Sequence, residues 1–459
     1  MKTIARVLLT TIPVALMLLV CGFAITPTPR AGVVIILTEA PVYEPLAAFH
    51  GDERFPRGAQ LLMVRDGKDE LMVSGFYATA DADISFDAKR VLFAGKRSAS
   101  DPWHVYEMTI ADRSTRTIVT ASNDTVRPLY LPGERLVFAQ RTTAGYQLRA
   151  ANLDGSEALT LSYIPGSAMP VDVLRDGRIL FESNYPLGSG SIPELFLVYS
   201  DGSGVESYRC DHGAGRWGGR QLSSGDLVFT HGPSLARFTS PLAHEVPVSA
   251  PRADYAGAVV EMASRQWLVS VRNGAVSHFA LKLWQPGSTR LQTMFARDGY
   301  DMVEPVLVRP RTRPNRHPSG LHDWSTANLL ALDARQSRDG VLNESPTSVR
   351  IETLDASGNA VAMGSAPVES DGSFFVKVPA NQPIRFALLD GSGAVLREER
   401  GWFWIRRGEQ RICVGCHAGP ERAPENQVPA VLLHTTIPVD LSGSQPAEGV
   451  VHPSAGGTR

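Results

Sequence analysis

Two cysteines and a histidine near the end of the chain have a spacing that supports covalent chemistry: Cys413-Val-Gly-Cys416-His417. Two thiols separated by two residues can bond the two vinyl groups on one edge of a porphyrin. The histidine that follows can then take an axial position on the iron. The motif predicts one covalently attached c-type haem, held by Cys413 and Cys416, with His417 as the ligand to the haem iron.

Two other interpretations of a CxxC pair fit this sequence less well. A structural zinc site needs a second ligand pair of similar quality, and the sequence contains no second CxxC. A thioredoxin-like redox pair is expected in a βαβ context, which the apolar pattern does not provide. Motifs of serine hydrolases, zinc proteases and nucleotide-binding loops are also missing from the sequence.

The first 25 residues differ in composition from the rest of the chain. Lys2 and Arg6 precede an uncharged apolar run that ends near Ile25. This order is typical of a secretory signal peptide. The run is also nearly long enough for a membrane anchor. Lipidation at Cys21 is a third interpretation, although the lipobox before it is poor. Residues 1–25 are therefore predicted to be a signal peptide or membrane anchor. The remainder is predicted to be periplasmic or otherwise extracytoplasmic, where c-type haem is attached.

Composition limits the classes of partner. The chain has 459 residues and a formal net charge of -2, so no global charge favours nucleic acid or an anionic membrane surface. Its length predicts two or three domains. A redox partner protein is expected, with membrane contact only through the N-terminal anchor or a lipid.

Short apolar runs with a regular period predict a β-propeller over residues 45–335. A basic or polar residue precedes each run, and the runs are spaced by 40 to 48 residues. The five clear runs begin at Arg90, Arg135, Arg178, Asp226 and Gln266. A sixth unit around Glu304 to Asp333 indicates six or seven blades. Early strands such as Gln60-Leu-Leu-Met-Val64 would complete the last blade and close the ring. The turns of these units resemble those of TolB-like propellers.

Three further segments follow the propeller. The proline- and arginine-rich stretch 309–323 predicts an extended linker, although its arginines would also suit haem propionates or carboxylates of a partner. Regular alternation of apolar and polar residues, together with Asp-Gly turns, predicts a small β-sandwich of about seven strands or fewer. This domain spans 346–433, and its strands lead directly into the CxxCH motif near its end. Residues 434–459 are predicted to be a disordered tail.

Several stretches of this second domain carry recognisable motifs: Ala366–Phe374, Phe386–Asp390, Trp402–Trp404, Gly408-Glu409, Cys413–His417 and Ala423-Pro424. Together they resemble the family of the hydrazine synthase alpha subunit. The resemblance implies an extracytoplasmic propeller joined to a haem-binding middle domain. Two departures limit it: the sequence has no second CxxCH, and Glu421 occupies the position at which the family has an iron-binding tyrosine. The unusual iron ligation and the synthesis of hydrazine are therefore not implied.

Other side chains are candidates for the surroundings of the haem. Trp402 and Trp404 face one side of their strand, where they would either line an apolar haem pocket or pack in a protein core. No methionine follows the motif, so we expect the second axial position to be open or weakly held; Met363, His434 and His452 are the alternatives.

Cys210-Asp211-His212 group three metal-ligating side chains within the propeller. Such a loop could bind zinc together with His417, as the family resemblance implies, or reach the distal face of the haem. Unremarkable buried and surface roles remain open for each of the three residues.

Three functional hypotheses follow from the sequence. The leading one is an exported monohaem c-type protein with a role in electron transfer. The second is a haem enzyme, an oxidoreductase acting on a small nitrogen or oxygen species at a five-coordinate iron. The third is a propeller that serves as an interaction scaffold with a structural haem.

Overall fold

The computed structural model describes residues 32–184, 193–209, 215–240, 243–336, 341–399, 401–415 and 427–443. Strands and turns form nearly all of it; the helices in these ranges are a 3-10 helix at Ala47–Phe49 and a short α-helix, α1 (Ala430–His434). The predicted all-β fold class is confirmed. Within the described ranges, no helix has the length and apolar character needed to cross a bilayer.

Six antiparallel sheets follow one another from Val34 to Leu307. The first sheet contains β1 (Val34–Ala40), β2 (Gln60–Arg65) and β3 (Lys68–Leu71). The strands of the next five sheets are β4 (Ala78–Ile84), β5 (Arg90–Lys96), β6 (His104–Thr109), β7 (Thr115–Val119); β8 (Thr125–Leu131), β9 (Arg135–Thr142), β10 (Gly145–Asn152), β11 (Leu159–Thr160); β12 (Ala168–Val173), β13 (Ile179–Ser183), β14 (Glu194–Val198), β15 (Glu206–Ser207); β16 (Arg216–Gln221), β17 (Leu227–His231), β18 (Ser234–Phe238), β19 (Val246–Pro247); β20 (Asp254–Tyr255), β21 (Val260–Glu261), β22 (Trp267–Arg272), β23 (Ala280–Trp284) and β24 (Leu291–Phe295).

The apolar runs predicted from the period are the second strands of these sheets. Phe93, Phe138, Phe181 and Phe229 occupy corresponding positions in β5, β9, β13 and β17, and each is at most 2% exposed. They pack between neighbouring sheets, in clusters that draw residues from two successive sheets. The repeat in the sequence is therefore a repeat of interior positions.

A last strand, β25 (Asp301–Leu307), closes the ring. It pairs antiparallel with β1 and joins the first sheet, in the order β25-β1-β2-β3. Early strands thus complete the sheet that contains Glu304, as the sequence predicted. The first propeller strand is β1, which lies before residue 45, where the propeller was predicted to begin. The period of the apolar runs does not reveal which early strand pairs with the last one to close the ring.

The innermost strands share a bulge that shapes the central channel. Register shifts interrupt the pairing of β4, β8, β12, β16 and β25 with their neighbours. At most of these positions, and at the corresponding point between β20 and β21, one residue adopts a left-handed conformation that turns the strand. These residues, with their φ angles, are Asp81 (60°), Arg127 (50°), Gly218 (64°), Gly257 (116°) and Glu304 (52°).

The second domain is a sandwich of two four-stranded sheets that enclose one apolar core. One sheet has the order β32-β26-β29-β33 and the other β28-β27-β30-β31. Its strands are β26 (Thr326–Ala331), β27 (Ser348–Leu354), β28 (Ala360–Pro367), β29 (Phe374–Pro379), β30 (Ile384–Leu389), β31 (Val395–Glu398), β32 (Gln410–Cys413) and β33 (Val439–Asp440).

Two strands of this sandwich lie outside the range predicted for it. β26 falls within the predicted propeller range, 45–335, yet pairs with β29 and β32 of the sandwich. β33 falls within the predicted tail and pairs with β29. The described sheets therefore contain eight strands rather than seven or fewer, since isolated short strands do not reveal which sheet they will join.

Residues 308–325, here called the strap, connect the two domains along the propeller surface. Arg311 donates to both carboxylate oxygens of Asp83 at 2.7 and 2.9 Å, and the N–H of Asn315 donates to the carbonyl of Arg175 at 2.9 Å. The ring of His317 stacks on Tyr199 at 3.8 Å. The predicted extended linker is thus held against the propeller, and Arg311 pairs with a carboxylate of this chain.

Candidate functional site

Cys413 is the last residue of β32, at the edge of a sandwich sheet. β32 runs parallel to β26, with Cys413 opposite Ala331, and the Leu332 N–H donates to the Cys413 carbonyl at 2.9 Å. The thiol is half-buried against the sandwich core. The first cysteine of the motif is therefore fixed by a strand rather than by a helix.

The electrostatic surroundings of Cys413 have opposing effects. Burial raises the pKa of the Cys413 thiol, whereas the guanidinium of Arg411, which lies beside it on the same face of β32, acts to lower that pKa. The net direction is upward, so the thiol is protonated at neutral pH. Arg411 also donates to the carbonyl of Val205 in the propeller at 2.5 Å.

Helix α1 lies at the same end of this sheet. Phe374 begins β29 opposite Ala331, and the turn just before it holds the first residues of α1. The N–H of Ala430 donates to Asp371 Oδ2 at 2.7 Å, and that of Val431 to Ser373 Oγ at 3.1 Å. The chain segments on both sides of residues 416–426 are therefore anchored at one end of the sandwich.

Hydrogen bonding keeps Asp371 ionised in this turn. Burial by itself raises the pKa of Asp371, but the N–H of Ala430, together with the hydroxyl and N–H of Ser373 and the charge of Arg335, brings that pKa below its usual value. A carboxylate that accepts the N–H groups at the start of a helix also stabilises that helix.

Exposed apolar side chains concentrate around this end of the sandwich. Ile412 is 62% exposed, Val428 58%, Leu433 70% and Ile437 70%. These side chains lie on β32, on α1 and on the segments next to α1, which flank residues 416–426. Exposed apolar side chains of this kind would suit an apolar porphyrin ring attached at Cys413.

Trp402 and Trp404 both point toward the propeller. They are 8% and 1% exposed and lie in an apolar cluster with residues of the third and fourth propeller sheets. Trp404 donates from Nε1 to the Gly202 carbonyl at 2.9 Å and packs edge-on against Tyr163. Ile405 lies in the sandwich core instead, and Phe403 packs against both clusters. This segment thus separates two cores, and the haem contact of the two tryptophans stays a prediction.

Charged residues after Trp404 continue the contact between the domains. Arg406, only 5% exposed, donates from Nε to the Asp201 carbonyl at 3.0 Å and also bonds the Tyr163 hydroxyl. Glu409 accepts the Gly204 N–H at 3.1 Å and the Arg406 N–H at 2.8 Å. Sequence reasoning did not assign these residues. The available signals were their position between the aromatic strand and the CxxCH motif and, for Glu409, the family resemblance at Gly408-Glu409.

Several predicted site residues lie outside the described residues: Cys416, His417, Cys210, Asp211, His212 and His452. The described flanks of the two clusters do meet, since Val205, five residues before Cys210, accepts the bond from Arg411, two residues before Cys413. Within the described ranges, no three His, Cys, Asp or Glu side chains form a metal-binding group.

The two described candidates for the second axial position differ in their surroundings. Met363 lies in β28, in the sandwich sheet that does not contain Cys413, and packs against the sandwich core. His434 ends α1, where its exposed ring lies 2.9 Å from Glu369 Oε1. A carboxylate that orients a histidine in this way is common beside metals.

Fold and site together define the class: a β-propeller joined to a β-sandwich domain. Strand β32 of the sandwich ends at Cys413 and contacts the propeller through Arg411. Residues 333–418 match the family model described as the hydrazine synthase alpha subunit middle domain. That range ends one residue beyond His417 and so includes the whole CxxCH motif. The resemblance predicted from the sequence is thereby confirmed for this domain.

Solved structures extend the likeness to most of the fold. The hydrazine synthase of Kuenenia stuttgartiensis matches with a TM-score of 0.75 and 15% sequence identity, over 88% of this chain and 71% of that chain. TolB from Acinetobacter baumannii matches with a TM-score of 0.46 and 13% identity, over 61% of this chain and 68% of that chain. A search of curated protein sequences finds no match.

Proposed function

We propose that this chain is an exported monohaem c-type protein that exchanges electrons with a partner protein. The observation that supports this most directly is the position of Cys413. It is held at the end of a sandwich strand, in a domain that matches the hydrazine synthase alpha subunit middle domain through His417. When bound, the haem supplies one-electron chemistry at its iron.

Each residue of the motif has a distinct part in this proposal. Cys413 and Cys416 hold the porphyrin through thioether bonds, and His417 binds the iron. Arg411 places a buried positive charge beside Cys413. A fixed positive charge near a haem favours the reduced iron and raises the reduction potential. Trp402 and Trp404 fix the motif against the propeller and exclude water from that side.

Export and partner binding complete the proposal. The basic and apolar order of residues 1–25 supports a periplasmic or other extracytoplasmic location, which is also where the thioether bonds would form. Ile412, Leu433 and Ile437 are exposed apolar side chains on the segments that flank the motif, and a redox partner protein would approach the haem edge there.

The test is expression of the full chain with a c-type haem maturation system, followed by a pyridine haemochrome spectrum and an intact mass. We expect one haem per chain. Cys413→Ser and Cys416→Ser should each lose one thioether bond, while Cys210→Ser serves as the matched control and keeps both. A folded chain that carries no covalent haem would contradict the proposal and favour an interaction scaffold.

A second candidate is a haem enzyme that acts on a small nitrogen or oxygen species. The packing of Met363 in the opposite sheet of the sandwich favours it, since that residue is then not placed to occupy the iron. Carbon monoxide added to the ferrous protein distinguishes the two: a shifted spectrum supports an accessible iron, and an unchanged spectrum removes this candidate. His434→Ala tests whether that histidine is the competing ligand.

We also propose that Cys210, Asp211 and His212 approach the motif and bind zinc. The contact between Val205 and Arg411, which precede the two clusters, supports this arrangement. Metal analysis of Cys210→Ser is the test; an unchanged zinc content would contradict the site.

A further inference from the structure

The wide mouth of the propeller channel forms a cavity of about 430 Å³. Its walls are the ends of the innermost strands of several propeller sheets, and the strap crosses over it. This volume is in the range of pockets that hold metabolite-sized ligands. The charged side chains that line it are Asp83, Asp172, Arg175, Arg220, Glu261, Arg309 and Arg311.

The three carboxylates of this cavity are already engaged by the protein. Asp83 accepts the Tyr130 N–H at 2.8 Å and pairs with Arg311. Asp172 accepts the N–H groups of Gln221 and Val173 at 2.9 and 3.0 Å. Glu261 accepts both the N–H and the hydroxyl of Ser223 at 2.7 Å. The acidic groups therefore offer little to a cation.

Two guanidinium groups at the rim have no carboxylate partner among the described residues. Arg175 donates from its side chain to the Leu222 carbonyl at 2.8 Å, and Arg309 to the Glu261 carbonyl at 2.9 Å. Both residues are exposed to the cavity mouth. A carbonyl oxygen leaves the positive charge uncompensated and most of the five N–H donors of arginine free.

Arg220 extends this positive surface inward. Its Nη1 lies 3.5 Å from Asp172 Oδ1, a long contact for a charged pair, and a quarter of its side chain is exposed. Burial raises the pKa of Asp172, while the charge of Arg220 acts to lower it. Arg220 lines both this cavity and the narrower part of the channel behind it.

The narrower part of the channel is a poorer site. Its volume is about 100 Å³, and its charges are paired with one another. Arg54 contacts Asp81 and Glu304, each at 2.6 Å. Arg127 pairs with Glu182 at 3.1 Å, and Glu182 also accepts the Gly218 N–H. A ligand would have to break this network to enter.

We propose that the cavity under the strap binds a small organic anion, through a carboxylate or phosphate group held between Arg175, Arg309 and Arg220. Guanidinium groups recognise both oxyanions through paired hydrogen bonds, so the site selects the charge group first. This site is separate from the motif around Cys413 and does not depend on haem. Bound ligand would contact the strap and hold it in place.

Calorimetric titration of the purified full chain tests the site, with inorganic phosphate, succinate and glycerol 3-phosphate as probes at constant ionic strength. Glycerol serves as the uncharged comparison. Arg309→Gln is the main variant, since Arg309 is exposed and makes only one carbonyl contact. Arg220→Gln is the second, and Arg237→Gln is the matched control, because Arg237 pairs with Asp226 at 3.0 Å away from the cavity.

We expect at least one anion to bind the wild-type chain and Arg237→Gln equally. Arg309→Gln and Arg220→Gln should bind it about tenfold or more weakly. Saturating anion should also slow tryptic cleavage after Arg311. The proposal is overturned if no probe binds with a Kd below about 10 mM, or if Arg309→Gln binds as tightly as the control. Preference for succinate or for the phosphates identifies the charge group.

Discussion

Trp404 shows how a single side chain joins the two domains. It is 1% exposed, packs among propeller residues, and satisfies its one polar atom by a hydrogen bond to the Gly202 carbonyl. Large aromatic side chains contribute most where they are buried on all sides and their polar atom has a partner. The contact of the sandwich with the propeller therefore depends strongly on this residue.

We predict that Trp404→Ala lowers the free energy of unfolding by about 3–5 kcal/mol, because it leaves a cavity between the domains. Trp404→Phe should lower the free energy of unfolding by only about 1 kcal/mol, because it keeps an aromatic ring and removes the hydrogen bond. Urea unfolding followed by circular dichroism measures both. Trp324→Ala is the control, since Trp324 is 53% exposed and its loss should change stability by no more than about 0.5 kcal/mol. Equal effects of Trp404→Ala and Trp324→Ala would contradict this role.

The strap is held by close approach to a propeller turn as much as by its arginines. Gly177 has a φ of +91°, and a Cβ added there would lie 2.2 Å from the Asn315 carbonyl oxygen. Gly225 occupies the corresponding turn of the next sheet, with a φ of +98° and open space around its Cβ position. The two glycines therefore share a backbone conformation and differ in their contact with the strap.

We predict that Gly177→Ala releases the strap, whereas Gly225→Ala introduces only the strain of a left-handed alanine, about 1–2 kcal/mol. Limited trypsin digestion measures this, because Arg311 and Arg316 precede bonds that trypsin cuts and Arg309 and Arg313 precede prolines. Cleavage of Gly177→Ala should be several times faster than that of Gly225→Ala at equal stability. Similar rates would show that Gly177 does not hold the strap.

Closure of the whole ring depends on a strand from each end of the propeller. β1 lies between β25 and β2, and its residues Ile35, Ile36 and Leu37 are fully buried. Without β1, both neighbours would expose unpaired backbone groups and apolar side chains. Each fully buried aliphatic side chain contributes about 1.5–3 kcal/mol, and the net stability of a domain is only about 5–15 kcal/mol.

We predict that a chain beginning at Pro41 does not unfold cooperatively, whereas a chain beginning at Gly32 does, because only the second retains β1. Thermal unfolding by circular dichroism and size-exclusion chromatography compare the two. A sharp transition at the same temperature for both chains would show that β1 is not needed for closure. The two chains differ only by residues 32–40, which contain β1, so Gly32 is the appropriate starting point for the control.

The period of apolar runs predicted a β-propeller, the turns of its units resembled those of TolB-like propellers, and the CxxCH motif predicted a haem site, all from local sequence. The propeller is confirmed, because the alternation of apolar and polar residues determines which side chains a strand buries. The haem site stays a prediction that rests on the spacing of the two thiols. The resemblance of the second domain to the hydrazine synthase alpha subunit rested on the same kind of local motif.

Long-range pairing decided the rest. Only the tertiary structure shows that β26 joins the sandwich, that Trp404 faces the propeller, and that Val205 meets Arg411 some two hundred residues later. Only the folded ring brings Arg175 of a turn, Arg220 of β16 and Arg309 of the strap to one cavity. Local sequence specifies faces and turns, but which faces meet depends on contacts between segments far apart in the chain.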